Sequence, residues 1–135
     1  DLIRSRGLGD VYKRQEVGGE LRTHGKPTFG SSKHLAQMLL EVRKSDSAKS
    51  AIINIRPPGD FEGTDIDMVQ EACHQLNWEL ADADRSGLED SSSVIDVVLD
   101  IGDFGWEPSL YVLGTSPLDV VDRCHTLITT LGGMQ

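Results

Sequence analysis

Residues 94–114, VIDVVLDIGDFGWEPSLYVLG, set two apolar runs on either side of a short loop holding Gly102, Asp103, Gly105, Glu107 and Pro108. Glycine and proline at this density end regular structure, so the segment reads as two strands, residues 94–100 and 109–113, with a stiff acidic connection. Two glycines three apart permit positive φ and let bare backbone approach a neighbour or a ligand without a Cβ in the way. Pro108 suits the position just before a strand, where a missing N–H is tolerated. The eight-residue connection allows an antiparallel pair, so an all-parallel sheet is not assumed.

Upstream the pattern changes to a period of 3.6. In residues 32–44, Leu35, Met38, Leu39 and Val42 follow i, i+3, i+4, i+7 and mark one buried helical stripe. Ser31 or Ser32 is placed to cap its first amides. Residues 50–56, SAIINIR, form a β-rich run, and Pro57-Pro58-Gly59-Asp60 breaks it. A second helix is expected from residue 64 or 65 to 76, with Ile66, Val69, Cys73 and Leu76 inward and Asp65 and Asp67 in its first turn, where the helix dipole favours acids. Residues 78–84 read as a strand and 85–93 as a polar loop. Ser116-Pro117-Leu118-Asp119 is a strong helix start, with a capping serine, proline at the first helical position and an acid three residues after the cap. Leu118, Val121, Cys124, Ile128 and Leu131 are expected on its buried face, and Gly132-Gly133 stops it. Helices interleaved with strands imply α/β layers around a mixed sheet.

The first residues stand apart. Residues 10–15, DVYKRQ, match the translated end of a common transposase sequencing adapter, and the nine residues before them show neither period nor cap. Residues 1–15 are therefore read as a sequencing or assembly scar, residues 16–26 as a lead segment, and residues 27–135 as the domain, with the natural N-terminus expected to be missing. The alternative is a natural basic tail.

Charge narrows the partners. The chain has 13 Lys+Arg against 22 Asp+Glu, a net charge of −9; without residues 1–15 the counts are 9 and 20, or −11. Such a field repels nucleic acid and anionic membranes. No apolar run is long enough to span a bilayer and no signal peptide is visible, so a cytoplasmic protein is expected. Cys73 and Cys124 fall on apolar helical faces and read as small buried hydrophobes in a reducing compartment. Neither a CxxC pair nor a histidine cluster suggests a metal site.

Four blocks, in order, resemble the ThiN-type thiamine-phosphate synthase domain family. Phe29, Gly30, Ser31, Ser32, His34, Leu35 and Ala36, followed by Asn54, Ile55 and Arg56, resemble the family's FGASSHLA…AINI(K/R) block. Asp84-Arg85 is similar to its Asp-Arg after the third strand. Residues 96–113 resemble its DVIY·HGD·GKEPMI·V·G block, and residues 116–121 its following helix start. The resemblance covers residues 27–131. It implies a three-layer α/β/α fold with a mixed sheet, similar to that of class II aldolases and here N-terminally truncated. It also implies an archaeal flavour and one of two contexts: fusion to a pyrimidine kinase as an enzyme, or a place behind a helix-turn-helix as a thiamine-responsive regulator. As an enzyme the family joins a pyrimidine methyl diphosphate to a thiazole phosphate and releases pyrophosphate, with Mg2+ as the expected cofactor.

Two positions depart from the family pattern. Asp100 stands where the family often has histidine, and Trp106 replaces the lysine of Gly-Lys-Glu-Pro. The connection after Asp84-Arg85 is also short. Departing pyrophosphate needs cations and amides, so these exchanges favour binding over catalysis. The expected ligand is thiamine phosphate or a phosphorylated precursor. The candidate ligand-binding residues are Gly30, Ser31, Ser32, His34, Asn54, Arg56, Asp84, Arg85, Gly102, Asp103, Gly105, Trp106 and Glu107. DNA contact is expected only through a missing N-terminal region, and a homo-oligomer is compatible. Bland roles stand beside these. Gly30-Ser31-Ser32 can be a helix cap alone, Trp106 a surface anchor, His34 a solvated histidine, and Asp103 and Glu107 closures of their own turn.

Overall fold

Alternating apolar positions on the central strands and single apolar stripes on the helices sort the chain into layers. The structure, a computed structural model, describes residues 14–17, 20–23, 33–60, 62–84, 86–88 and 94–134. The elements are β1 (Arg14–Val17), β2 (Glu20–Thr23), α1 (Lys33–Arg43), β3 (Ala51–Ile55), β4 (Gly59–Asp60), β5 (Gly63–Thr64), α2 (Ile66–Leu76), β6 (Leu80–Asp84), β7 (Gly87–Leu88), β8 (Val97–Asp100), β9 (Ser109–Gly114) and α3 (Pro117–Gly132). The expected scar lies almost wholly outside the described residues. The lead segment carries most of the antiparallel β1–β2 hairpin, which its sequence pattern does not predict.

Five strands form one mixed sheet in the order β3-β9-β8-β6-β7. β8 pairs antiparallel with β9, Val97 opposite Val112 and Asp100 opposite Ser109, and parallel with β6. β3 pairs antiparallel with β9, so β3, β8 and β6 all run the same way. Their C-terminal ends, with the start of β9, make one edge of the sheet. α1 covers one face, packing Leu35, Met38, Leu39 and Val42 on Ile52, Val98, Tyr111 and Leu113. α2 and α3 cover the other, packing Val69, Cys73, Val120, Cys124 and Leu127 on Ile53, Val97, Leu99 and Val112. The expected α/β/α sandwich is therefore present. β8 is buried along its whole length because helices close both faces of the strand.

Helix ends follow local chemistry. Asp65 caps α2 by accepting from the Met68 amide at 3.1 Å, and Asn77 ends it in the left-handed conformation at φ 56°. Ser116 Oγ accepts from the Asp119 amide at 3.0 Å, while Asp119 reaches back to the Thr115 amide at 2.8 Å. One expectation is overturned on α3. Leu118, Val121 and Ile128 are 80%, 48% and 45% exposed, and the buried stripe is Val120, Cys124, Leu127 and Leu131. α3 carries apolar residues on two stripes, and Gly114 lies against Val120, which fixes which stripe turns inward. Ile66 likewise sits on the exposed side of α2, at the first residue after its cap, where Ala72 replaces it among the buried residues.

At the opposite sheet edge a charge network closes the core. Asp96, just before β8, accepts from the Glu79 amide at 2.9 Å and from Arg123 Nη1 at 3.0 Å, and lies 3.3 Å from buried Lys49 Nζ. Lys49 also meets Asp46 at 2.8 Å, and the Arg123 guanidinium lies 4.8 Å from the Trp78 ring centroid. Burial works to raise the pKa of Asp96, but the Glu79 amide, Arg123 and Lys49 together outweigh it and hold the carboxyl below the ordinary carboxylate range. A carboxyl depressed on folding adds stability above its unfolded pKa and loses it as pH falls through the folded value. Asp96→Asn leaves buried Lys49 and half-buried Arg123 each short of a partner and should cost about 3 kcal/mol in urea unfolding at pH 7. The difference between wild type and variant should shrink steadily as the pH is taken below about 4.

Candidate functional site

The sheet edge formed by the ends of β3 and β8 and the start of β9 gathers polar and aromatic side chains on the α1 face. Period-two alternation puts Asn54, Asp100, Ser109 and Tyr111 on that face, alongside Ile52, Val98 and Leu113. Asp100, at the end of β8, is only 2% exposed. Its Oδ1 accepts from the Gly102 amide at 2.8 Å and its Oδ2 from the Trp106 indole Nε1 at 2.7 Å. One carboxylate thus fixes both sides of the loop that follows it.

The loop is closed by its own backbone. Asp103 and Trp106 exchange two amide hydrogen bonds of 2.9 Å around Phe104 and Gly105. Gly105 supplies φ 73° at the second central position, as a type II turn demands. Gly102 has φ 80°, and a Cβ there would stand 2.6 Å from the Trp106 carbonyl oxygen, so no side chain fits. Asp103 Oδ1 accepts from the Phe104 amide at 2.7 Å. Phe104, at the tip, is 97% exposed.

The first turn of α1 arrives at the same place. The His34 ring stands edge-on to Trp106, centroids 5.2 Å apart and planes at 83°, and lies 5.8 Å from the Tyr111 ring at 58°. Tyr111 is opposite Asn54 in the β3–β9 register, and Asn54 Nδ2 donates to Ser109 Oγ at 3.1 Å. Burial, reinforced by the charge of Asp100 and partly offset by hydrogen bonding with Ser109, pushes the Tyr111 phenol up to about 12. Two side-chain atoms here are buried yet have no hydrogen-bond partner among the described residues: His34 Nε2 and Asn54 Oδ1. Native interiors rarely leave such atoms unmatched, and each calls for an explanation.

Of the residues singled out from the sequence, His34, Asn54, Gly102 and Trp106 are brought together. Arg56 is exposed just beyond β3 at the same edge, and Glu107 is exposed in the loop. Asp103 closes its own turn, with Gly105. Asp84 also reaches this edge, but its carboxylate accepts from the Ser86 amide at 2.7 Å and the Ser86 hydroxyl at 2.5 Å, and these bonds hold its pKa low. Gly30, Ser31, Ser32 and Arg85 lie outside the described residues. Ser109, Tyr111 and the clamping role of Asp100 were not read from the sequence. The signal available was the alternation itself: polar or aromatic residues at every second position near one end of adjacent strands.

A depression of about 360 Å³ lies at the other sheet edge, between the end of α2 and the start of β6, lined by Cys73, His74, Asn77, Trp78 and Glu79 among others. Neither lysine nor arginine lines it and Glu79 does, which disfavours phosphate there. Among the described residues no group of three or more His, Cys, Asp or Glu is placed to hold a metal ion. No helix among them is long and apolar enough to cross a membrane.

Fold and geometry together define a three-layer α/β/α domain whose polar and aromatic cluster sits where strand ends meet a helix entrance. The family model described as "Thiamine-phosphate synthase ThiN" matches residues 15–126. The chain belongs to that family. Among solved structures it is similar to the C-terminal domain of a phosphomethylpyrimidine kinase, with 22% identity and a TM-score of 0.62 over 86% of this chain and 73% of the other. It is also similar to the C-terminal domain of protein MJ0236, with 21% identity and a TM-score of 0.63 over 87% and 68%. At these identities the likeness is one of fold. No curated protein sequence matches the chain.

The clamp can be tested on its own. In Asp100→Asn the amide keeps one acceptor and turns an N–H toward a donor, so either the Gly102 or the Trp106 bond is lost. The Trp106 indole N–H resonance should move toward its solvent-exposed position while that of Trp78 stays, with a stability loss of about 2 kcal/mol.

Proposed function

We propose that this domain binds thiamine phosphate or one of its phosphorylated precursors as a sensing module of a transcriptional regulator, rather than making it. The observation that carries this reading is the bond between Asp100 and Trp106. These are the two positions that depart from the family pattern, and here each is the other's partner. An indole N–H taken out of water needs an acceptor, and a buried carboxylate needs donors. The exchange is therefore a matched pair rather than two separate losses.

Its chemical consequence is one of charge. Thiamine phosphate synthesis develops negative charge on leaving pyrophosphate, and cations or amides must meet it. A lysine and a histidine are replaced by an indole and a carboxylate. At an effective dielectric near 20, a unit charge 4 Å away contributes about 4 kcal/mol, so the substituted edge disfavours a diphosphate strongly. A thiazolium ring, being cationic, gains from the same change: the carboxylate attracts it, and the indole face adds about 0.5–2 kcal/mol. A single phosphate asks for less. The amides and hydroxyls of Gly30, Ser31 and Ser32, which precede α1 in the sequence, with Arg56 or Arg85, are the candidates for it. The domain's acidity argues that any DNA contact belongs to another part of the polypeptide.

The second reading is an active synthase. The description of the family itself favours it, and so does the kinase named for one structural neighbour. Mg2+ would then serve the diphosphate. The described carboxylates do not by themselves make a site for it, so it would arrive largely on substrate oxygens.

Titration calorimetry with thiamine phosphate and a turnover assay with both phosphorylated precursors separate the readings. The sensing role predicts saturable binding and no product above background. It also predicts that Asp100→His combined with Trp106→Lys raises product formation by about tenfold or more, because each added cation stabilises the leaving group. Clear turnover by the wild-type chain would establish the synthase instead. Trp106→Ala should weaken thiamine phosphate binding about fivefold, or about 1 kcal/mol, without unfolding the domain.

A further inference from the structure

We propose that α3 pairs antiparallel with the same helix of a second copy of this chain, so that two domains join about a two-fold axis. The inference stands apart from the ligand reading. It begins with the apolar stripe that α3 leaves outside. Leu118, Val121 and Ile128 are 80%, 48% and 45% exposed, and His125 is exposed between them. With Gly132 these positions step by three, four, three and four residues, the spacing of a two-helix seam rather than of a broad core face. Arg123 lies on the other flank of the helix, bonded to Asp96 and lying over Trp78. Val121 comes two residues earlier and so stands about 200° round the helix, which turns the seam away from the end of α2.

Composition singles out this face. In a chain of net charge −9, the exposed positions of α3 hold one acid, Asp122, and neither lysine nor arginine. α1 and α2 fill theirs mainly with Lys33, Gln37, Glu41, Gln70, Glu71 and Gln75. Val121, Thr126, Ile128 and Thr129 are all β-branched, a poor choice for exposed helix positions unless packing decides them. Two copies of so acidic a domain repel each other over most of their surface. The near-neutral strip on α3 is where they can approach.

Shape gives the register. An antiparallel pair with His125 on the axis sets Val121 against Ile128 of the second copy and Leu118 against its Gly132. A Cβ on Gly132 would meet nothing within 4 Å, so the domain's own packing does not require glycine there. Opposite Leu118, the missing side chain is a hole for a knob. Asp122 falls across from Thr129, so the acids do not meet. Every contact occurs twice, as a two-fold interface demands. His125 is the single polar side chain of the seam, and such a residue fixes register.

Sedimentation equilibrium of the full chain tests the pairing. One helix pair is a small interface, so a dissociation constant of about 10 µM is expected. At ten times that concentration the weight-average mass should approach twice the 14.8 kDa of one chain. Ile128→Glu should weaken association at least about tenfold, because it buries an unpaired charge in the seam. Gly132→Leu should do the same by filling the hole, and adding Leu118→Ala should restore association to within about threefold of wild type. Ile128 and Gly132 support nothing inside the domain, so both variants should keep the wild-type thermal midpoint. A monomeric wild type, or a dimer that survives Ile128→Glu or Gly132→Leu, would overturn the proposal. Failure of Leu118→Ala to rescue Gly132→Leu would overturn the antiparallel register. The wild-type mass needs no variant, so misfolding of one would not protect the inference.

Discussion

A carboxylate cut off from water at the end of a central strand must find its donors in the protein, and Asp100 finds two. The Gly102 amide turns the chain out of β8, and the Trp106 indole brings it back toward β9. With both bonds made, the intervening turn has little freedom, and the Trp106 ring is delivered to the same spot as the first turn of α1. The organisation of the candidate site follows from this. Without the carboxylate, the loop would keep its backbone turn but lose the tie that places Trp106 against His34.

The two ends of the sheet use polarity differently. At the N-terminal ends of β8 and β6, Asp96, Lys49, Arg123 and Asp46 satisfy one another so fully that little is left for a ligand. Charges matched in this way tie α3, β8 and the α1–β3 connection together. At the C-terminal ends the matching is incomplete, and Asn54 Oδ1 and His34 Nε2 remain without partners among the described residues. Ligands of open α/β sheets gather beyond the carboxyl ends of strands, and the distribution of matched and unmatched groups here agrees with that rule. The mixed sheet makes the edge richer than a parallel one would. Because β9 runs against β8 and β3, its first residues, Ser109 and Tyr111, join the ends of its neighbours.

Much of the architecture was legible because single periodicities act locally. The stripe of Leu35, Met38, Leu39 and Val42 and the cap-and-proline start at Ser116-Pro117 appear where the pattern places them. The inward face of α3 was not legible, since Leu118-Val121-Ile128 and Val120-Cys124-Leu127 are both credible stripes, and only packing against β9 chooses between them. In the site, the Gly-acid loop and His34 stood out as residue types, and the family resemblance drew attention to Asp100 and Trp106 separately. That they bond to each other could not be read from residues six apart in a loop, because it depends on a turn returning the indole to the strand end. Ser109 and Tyr111 look like ordinary strand residues until β3 is set beside β9.

The central claim is that one ring-and-phosphate ligand sits at the carboxyl edge of the sheet, against Trp106 and Tyr111. A crystal structure of the chain soaked with thiamine phosphate tests it most directly. The account predicts ligand density in contact with the Trp106 and Tyr111 rings, on the α1 side of β9. Density in the depression beside Cys73 and Trp78 at the far edge, with the Trp106 edge empty, would contradict it.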